Sequence, residues 1–257
     1  MRDPTYIRPV SKAAVWCRRA AAFACLVGLI GVVISRAGFV EPVAALAVVS
    51  SAIALALLAL LLAGAACVGM WRTGRRGVGP TLAGVALAAL LLAWPATLTV
   101  QALRLPVLND VATDPRDPPQ FSQSRAALAA RGGHQPPAPT SSPAQRAAYP
   151  ALQPILLDME ADDAFQAALK AAAAQGWAVI DKTPPGSGRG GLGHIDAVAR
   201  TFVMGFPEDV TVRVRPLAGQ TRLDLRSASR IGRNDFGSNA RRIEAFAQEV
   251  QAQADAK

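Results

Sequence analysis

Three long apolar runs, roughly 20–40, 43–68 and 78–103, fill most of the first hundred residues of this 257-residue chain. Crossing the hydrocarbon core of a bilayer takes about 20 apolar residues in a helix. Inside hydrocarbon every backbone N–H and C=O must be satisfied within the segment, so each run is expected to be an α-helix. The first run is the weakest, because Ser35, Arg36 and Gly38 interrupt its far end and leave an uninterrupted core, AAAFACLVGLIGVVI. That core is close to the apolar region of a signal peptide, but no A-x-A-type cleavage site follows and a second run begins almost at once. AFAC at 22–25 precedes the apolar stretch instead of following it, so it is no lipoprotein box, and Arg18–Arg19 reads as the positive flank of a span.

Charge divides the chain unevenly. Residues 1–104 carry +8 of the net +9, while the remainder is almost balanced. Strong basicity usually points to nucleic acid. Here the excess flanks apolar runs, so no nucleic-acid partner is expected. Lys and Arg in short loops resist translocation. They cluster before the first run (Arg2, Arg8, Lys12, Arg18, Arg19) and between the second and third (Arg72, Arg75, Arg76), whereas Arg36 alone, offset by Glu41, lies between the first two. A cytoplasmic N-terminus with three spans puts both basic segments on one side and residues 105–257 outside. The Ala- and Arg-rich composition suggests a bacterium, which places the chain in an inner membrane with a periplasmic C-terminal part. The three cysteines, Cys17, Cys25 and Cys67, lie in or beside the spans, and a cysteine-free exported part neither needs nor risks disulfides.

Spans that carry ions or protons normally hold ionisable residues at mid-depth. The second and third have none, so the expected role of 1–104 is an anchor in the lipid bilayer. Four segments follow from this reading: an anchor (1–104), an Asp/Pro collar (105–121), a Pro/Gly/Ser linker (122–148) and a globular domain (149–257). His134 lies in the linker, where a lone histidine is no metal site. In the collar, LNDVATDPRDPPQF, Asp110, Asp114 and Asp117 lack the regular oxygen spacing and closing Glu of a calcium loop. Pro115, Pro118 and Pro119 favour an extended chain. The collar is expected either to dock on the domain, against the arginines of its last block, or to serve as a spacer. No metal or other cofactor is expected.

From Tyr149 the pattern is globular. LQPILLD predicts a short strand. A helix follows, with Phe165, Ala168, Leu169 and Ala172 on one face, Asp158 or Asp162 at its start and Gly176 at its end. WAVID and GLGHIDAVARTFVMGF predict two more strands. In DVTVRVRP, Val210, Val212 and Val214 alternate with Thr211, Arg213 and Arg215, and TRLDLRSAS returns with Leu223 and Leu225 inward. A last helix carries Ile243, Phe246, Ala247 and Val250 in a stripe. The order β-α-β-β-β-β-α predicts a small α+β domain, an antiparallel sheet with two helices on one face. Gly186, Gly188 and Gly191 match a dinucleotide-binding spacing, but that motif works only where a strand leads into a helix. Here strand leads to strand, so a hairpin loop is expected.

TDPRDPP with Phe121, QRAAYP, GWAVID, DVTVRVRP and, above all, DLRSASRIGRNDFGSNARRIEAF resemble the bacterial domain-of-unknown-function family numbered 1499, from about Asp110 to Val250 with the linker left out. Members that this chain resembles carry N-terminal spans before the domain. The resemblance implies no activity. The chain departs from the family's pattern at Glu208–Asp209, where two aspartates are usual, and at Ala151, where aspartate usually follows Tyr-Pro.

The last block holds the densest polar chemistry, and two readings of it stay open. In one, Arg226, Ser229, Arg230, Asp235, Asn239 and Arg242, supported by Asp209 and Arg213, bind an anion beside a helix N-terminus. The ligand would be an anionic small molecule, an envelope glycan or a membrane-protein partner. In the other, Asp235 or Ser238 caps the helix and the arginines pair with Asp209, Asp224 and Asp235. A hydrolase centred on Ser229 or Asp235 needs a base within hydrogen-bond reach, and the domain's histidine, His194, must then lie close by. An accessory subunit that contributes its spans to an envelope or transport complex is a further reading.

Overall fold

The computed structural model describes residues 9–136, 143–187 and 189–255. Residues 137–142 of the expected linker and Gly188 of the glycine loop lie outside the described residues. The chain forms two compact units, Met1–Val100 and Gln101–Lys257.

Three helices long and apolar enough to cross a membrane make up the first unit: α1 (Lys12–Arg36), α2 (Pro42–Thr73) and α3 (Val78–Arg104). Without a hydrophobic force between helices in lipid, small residues let them approach closely. Ala14, Cys17, Ala21, Ala24 and Gly28 form the buried stripe of α1, and α2 buries Ala45, Ala52, Ala56, Ala59, Ala63 and Ala66. A methyl group on Gly28 would meet Leu91 of α3 at 2.9 Å and Ala52 of α2 at 3.5 Å. Pro42 opens α2 where a missing N–H costs nothing, and Gly74, at φ 65°, closes it. The two basic segments meet at one end of this unit. Ser11 N–H donates to the Arg76 carbonyl at 2.8 Å, and Arg76 N–H donates to the Pro9 carbonyl at 3.3 Å.

The second unit is an antiparallel sheet with two long helices. Its strands are β1 (Asp110–Ala112), β2 (Ile155–Leu157), β3 (Ala178–Thr183), β4 (Gly193–Arg200), β5 (Pro207–Leu217) and β6 (Gln220–Ser229). The spatial order is β1-β6-β5-β4-β3, and β2 pairs with the other half of the β6 edge that β1 occupies. Helices α6 (Ala161–Ala174) and α7 (Ser238–Asp255) pack on one face. Val210, Val212, Val214, Leu223, Leu225 and Ile195 meet Phe165, Ala168, Ile243, Phe246 and Val250 there in one core. Trp177 stacks on Phe246 with ring centroids 5.1 Å apart.

Glu160, not Asp158 or Asp162, stands at the α6 N-cap, and its side chain accepts no capping bond. Two further short helices, α4 (Arg125–Ala130) and α5 (Pro143–Ala148), lie within the stretch expected to be a linker. Ser124 caps α4 by accepting Ala127 N–H at 3.1 Å. Gln145 of α5 is buried, donating to the Ala112 carbonyl and accepting Ala112 N–H. β1 was not expected either. It is built from the collar, so the fold of the second unit starts well before Tyr149.

Candidate functional site

Side chains alternate across a strand, and the register of β4, β5 and β6 sorts their polar residues onto two opposite faces. On the helix side, next to the start of α7, lie Glu208, Ser227 and Ser229. On the other side lie Asp196, Asp209, Thr211, Arg213, Arg222, Asp224 and Arg226.

The helix-side cluster is small and closed. Ser229 Oγ donates to Glu208 Oε1 at 2.7 Å and accepts from Asn239 Nδ2 at 3.1 Å. Arg242 donates to Ser227 Oγ, to Asn239 Oδ1 and to Glu208 Oε2. Asp235 caps α7, its two oxygens accepting Gly237 N–H and Asn239 N–H, both at 2.9 Å. Burial pushes the Asp235 carboxyl above the usual range despite those two bonds. Phe236, at φ 51°, and Gly237, at φ 75°, turn the chain left-handed between cap and helix.

The opposite face is a lattice of ion pairs, and the collar supplies much of its negative charge. Arg226, 1 % exposed, donates to both oxygens of Asp110 at 2.9 and 2.7 Å. Arg222 donates to Asp114 at 2.7 Å and to Asp224. Arg213 spans Asp224 and Asp117, and Arg215 adds a 2.8 Å bond to Asp117. The chain then returns. Phe121 places its ring under the guanidinium groups of Arg226, at 4.7 Å, and Arg131, at 5.5 Å. Arg131, 3 % exposed at the end of α4, pairs with Asp196 and Asp209 and donates to the Ser122 carbonyl. Arg230 grips both Asp209 oxygens at 3.0 and 2.7 Å.

These partners set the protonation of the carboxylates. At Asp117 the hydrogen bonds from Arg213 and Arg215 hold the pKa below the usual range. At Asp114 burial works against the charge, but the bonds from Arg222 and from Arg116 and Asp117 N–H outweigh it. At Asp196 burial is again opposed, by His194 at 2.9 Å, by Thr211 and by Arg131, and the pKa is lowered. Asp181 is lowered too, with burial offset by hydroxyl donation from Ser122 and Ser124.

The expected anion site is thus split by the sheet. Ser229, Asp235, Asn239 and Arg242 stand on the helix side or at the α7 start, while Arg226, Arg230, Asp209 and Arg213 stand on the far side. Each of the four arginines is engaged by a carboxylate of the chain itself. His194 pairs in register with Arg213 on the far face, so the sheet separates it from Ser229. That separation removes His194 as a base for Ser229, whose hydroxyl donates instead to Glu208, a carboxylate already held by Arg242. Among the described residues no group of three or more His, Cys, Asp or Glu side chains is placed to hold a metal ion. The aspartates of the collar dock on arginines of the sheet, one of the two outcomes the sequence left open, whereas Arg131 and Asp196, both buried in the charged face, were not singled out from the sequence. Arg131 carried a faint signal, standing directly after a Ser-capped alanine run.

A comparison with curated proteins finds no match. The family model described as "Protein of unknown function (DUF1499)" matches residues 110–250, from β1 into α7, more than half of the chain. It takes in the collar, the charged face and the capped helix together, and the chain belongs to the DUF1499 family.

Proposed function

We propose that this chain is a membrane-anchored interaction module of a bacterial envelope, with no catalytic centre. The observation that supports this best is that Asp110, Asp114 and Asp117, just after α3, engage Arg226, Arg222, Arg213 and Arg215 of the sheet. The arginines hold an internal anion, the chain's own collar, in place of an external one. The folded domain therefore begins within a few residues of the third span, and its interactions with other molecules fall to its outer surfaces.

The basic segments at one end of the first unit support a cytoplasmic N-terminus, with the domain on the periplasmic side of an inner membrane. The spans, free of ionisable groups at mid-depth, support an anchoring role in which the partner is an envelope component. The test is thermal unfolding of the full chain in mild detergent with inorganic phosphate or citrate. No shift in midpoint is expected. A phosphate-dependent rise that Arg230→Ala abolishes would overturn the reading and restore the anion site.

A further inference from the structure

The two ends of the domain differ in chemistry. At one end the β4–β5 turn (201–206) and the loop joining β6 to α7 (230–237) lie beside the chain that enters from α3. Arg200 pairs with Pro207, Glu208 with Ser229 and Asp110 with Ala228, and Ser229 N–H donates to the Asn109 carbonyl. Only residues 105–109 separate α3 from β1. Phe202, at the tip of the turn, is 93 % exposed, and Val107 of the entering segment is 64 % exposed. Arg200 and Arg233 are exposed at the same end, while its carboxylates Asp110, Glu208, Asp209 and Asp235 are buried. The first exposed acid of α7 is Glu244, in its second turn. At the other end, where Gln220 donates to Asp158, the exposed carboxylates Asp158, Glu160 and Asp162 stand with exposed Lys182 toward the same end of β3.

An exposed aromatic tip at the same end as two exposed arginines, with no exposed acid in the loops, is suited to a lipid–water interface, where apolar burial and attraction to anionic headgroups add. We propose that this end of the domain seats on the headgroups of the bilayer from which α3 emerges. Phe202 enters the acyl boundary, and Arg200 and Arg233 pair with lipid phosphates. The short connection to α3 holds this end at the membrane, so weak contacts suffice at the resulting high local concentration. The end with the exposed carboxylates faces away. The assignment holds for either orientation of the chain and does not depend on a protein partner.

The test uses the full chain in lipid nanodiscs, with Phe202→Cys and, at the opposite end, Ala218→Cys, each treated with a membrane-impermeant maleimide. In phosphatidylglycerol-rich discs the thiol at 202 is expected to react roughly tenfold more slowly than that at 218, as interfacial burial requires. Arg233→Ser should weaken this protection by roughly fivefold, the worth of one arginine at an anionic surface. Equal reactivity at 202 and 218 would overturn the proposal. So would protection of 202 that is as strong in purely zwitterionic discs, or that persists in detergent and grows with protein concentration, which would point to a second copy.

Discussion

Arg226 is the most consequential single side chain in the domain. Its guanidinium is fully buried, gripped by both oxygens of Asp110 and laid over the Phe121 ring. Removing one partner of such a pair leaves an uncompensated buried charge, which costs about 3–5 kcal/mol. Arg226→Ala is therefore expected to lose that much stability in urea unfolding of the detergent-solubilised chain. Asp235→Ala removes the α7 cap and should cost about 1–2 kcal/mol, with Asp235→Asn retaining most of it. In the core, Phe246→Ala takes away a fully buried ring stacked on Trp177 and should cost about 3–5 kcal/mol, read from the same unfolding midpoint.

Among the elements, the collar changes most between sequence and structure. It bends at 115–117, where Asp114 Oδ1 accepts Arg116 N–H and Asp117 N–H, and it does more than stiffen the chain: β1 pairs with β6, and the aspartates close the charged face. Asp114, Asp117 and Asp196 all have pKa values lowered in the fold. A carboxylate of this kind adds stability above its unfolded pKa and loses it as pH falls through the folded value. Amide exchange of residues 111–122 should thus stay slow from neutral pH down to roughly pH 4, the ordinary carboxylate range. It should accelerate selectively below that, once the pH dependence of intrinsic exchange is removed. Exchange that rises uniformly across the sheet would show global unfolding and no separate release of the collar.

How much was legible depended on how local each feature is. The alternation in β5 and β6 and the apolar stripes of α6 and α7 are written in neighbouring residues, and the sheet and its helix layer follow from them. The same alternation held a signal that proximity in sequence masked. Arg226 and Ser229 are an odd number of positions apart on one strand, so they point to opposite faces and do not share a site. β1 is a three-residue strand that pairs with residues more than a hundred positions away, and α4 is too short to show a helical period. The one local mark on either is the Ser-led alanine run of α4. Arg131 looked like a linker residue because the carboxylates that bury it, Asp196 and Asp209, belong to other elements.

For the molecule as a whole, the arginine face is satisfied from within, largely by the segment that follows the third span. A double-mutant cycle on Asp110 and Arg226 in the full chain tests this most directly, with Asp110→Ala, Arg226→Ala and the double variant unfolded under identical detergent conditions. The two losses should be strongly non-additive, with a coupling of about 2 kcal/mol or more, because each side chain is the other's partner. Additive losses with no coupling would mean that the collar does not clasp the sheet, and the arginine face would again be free for an external anion.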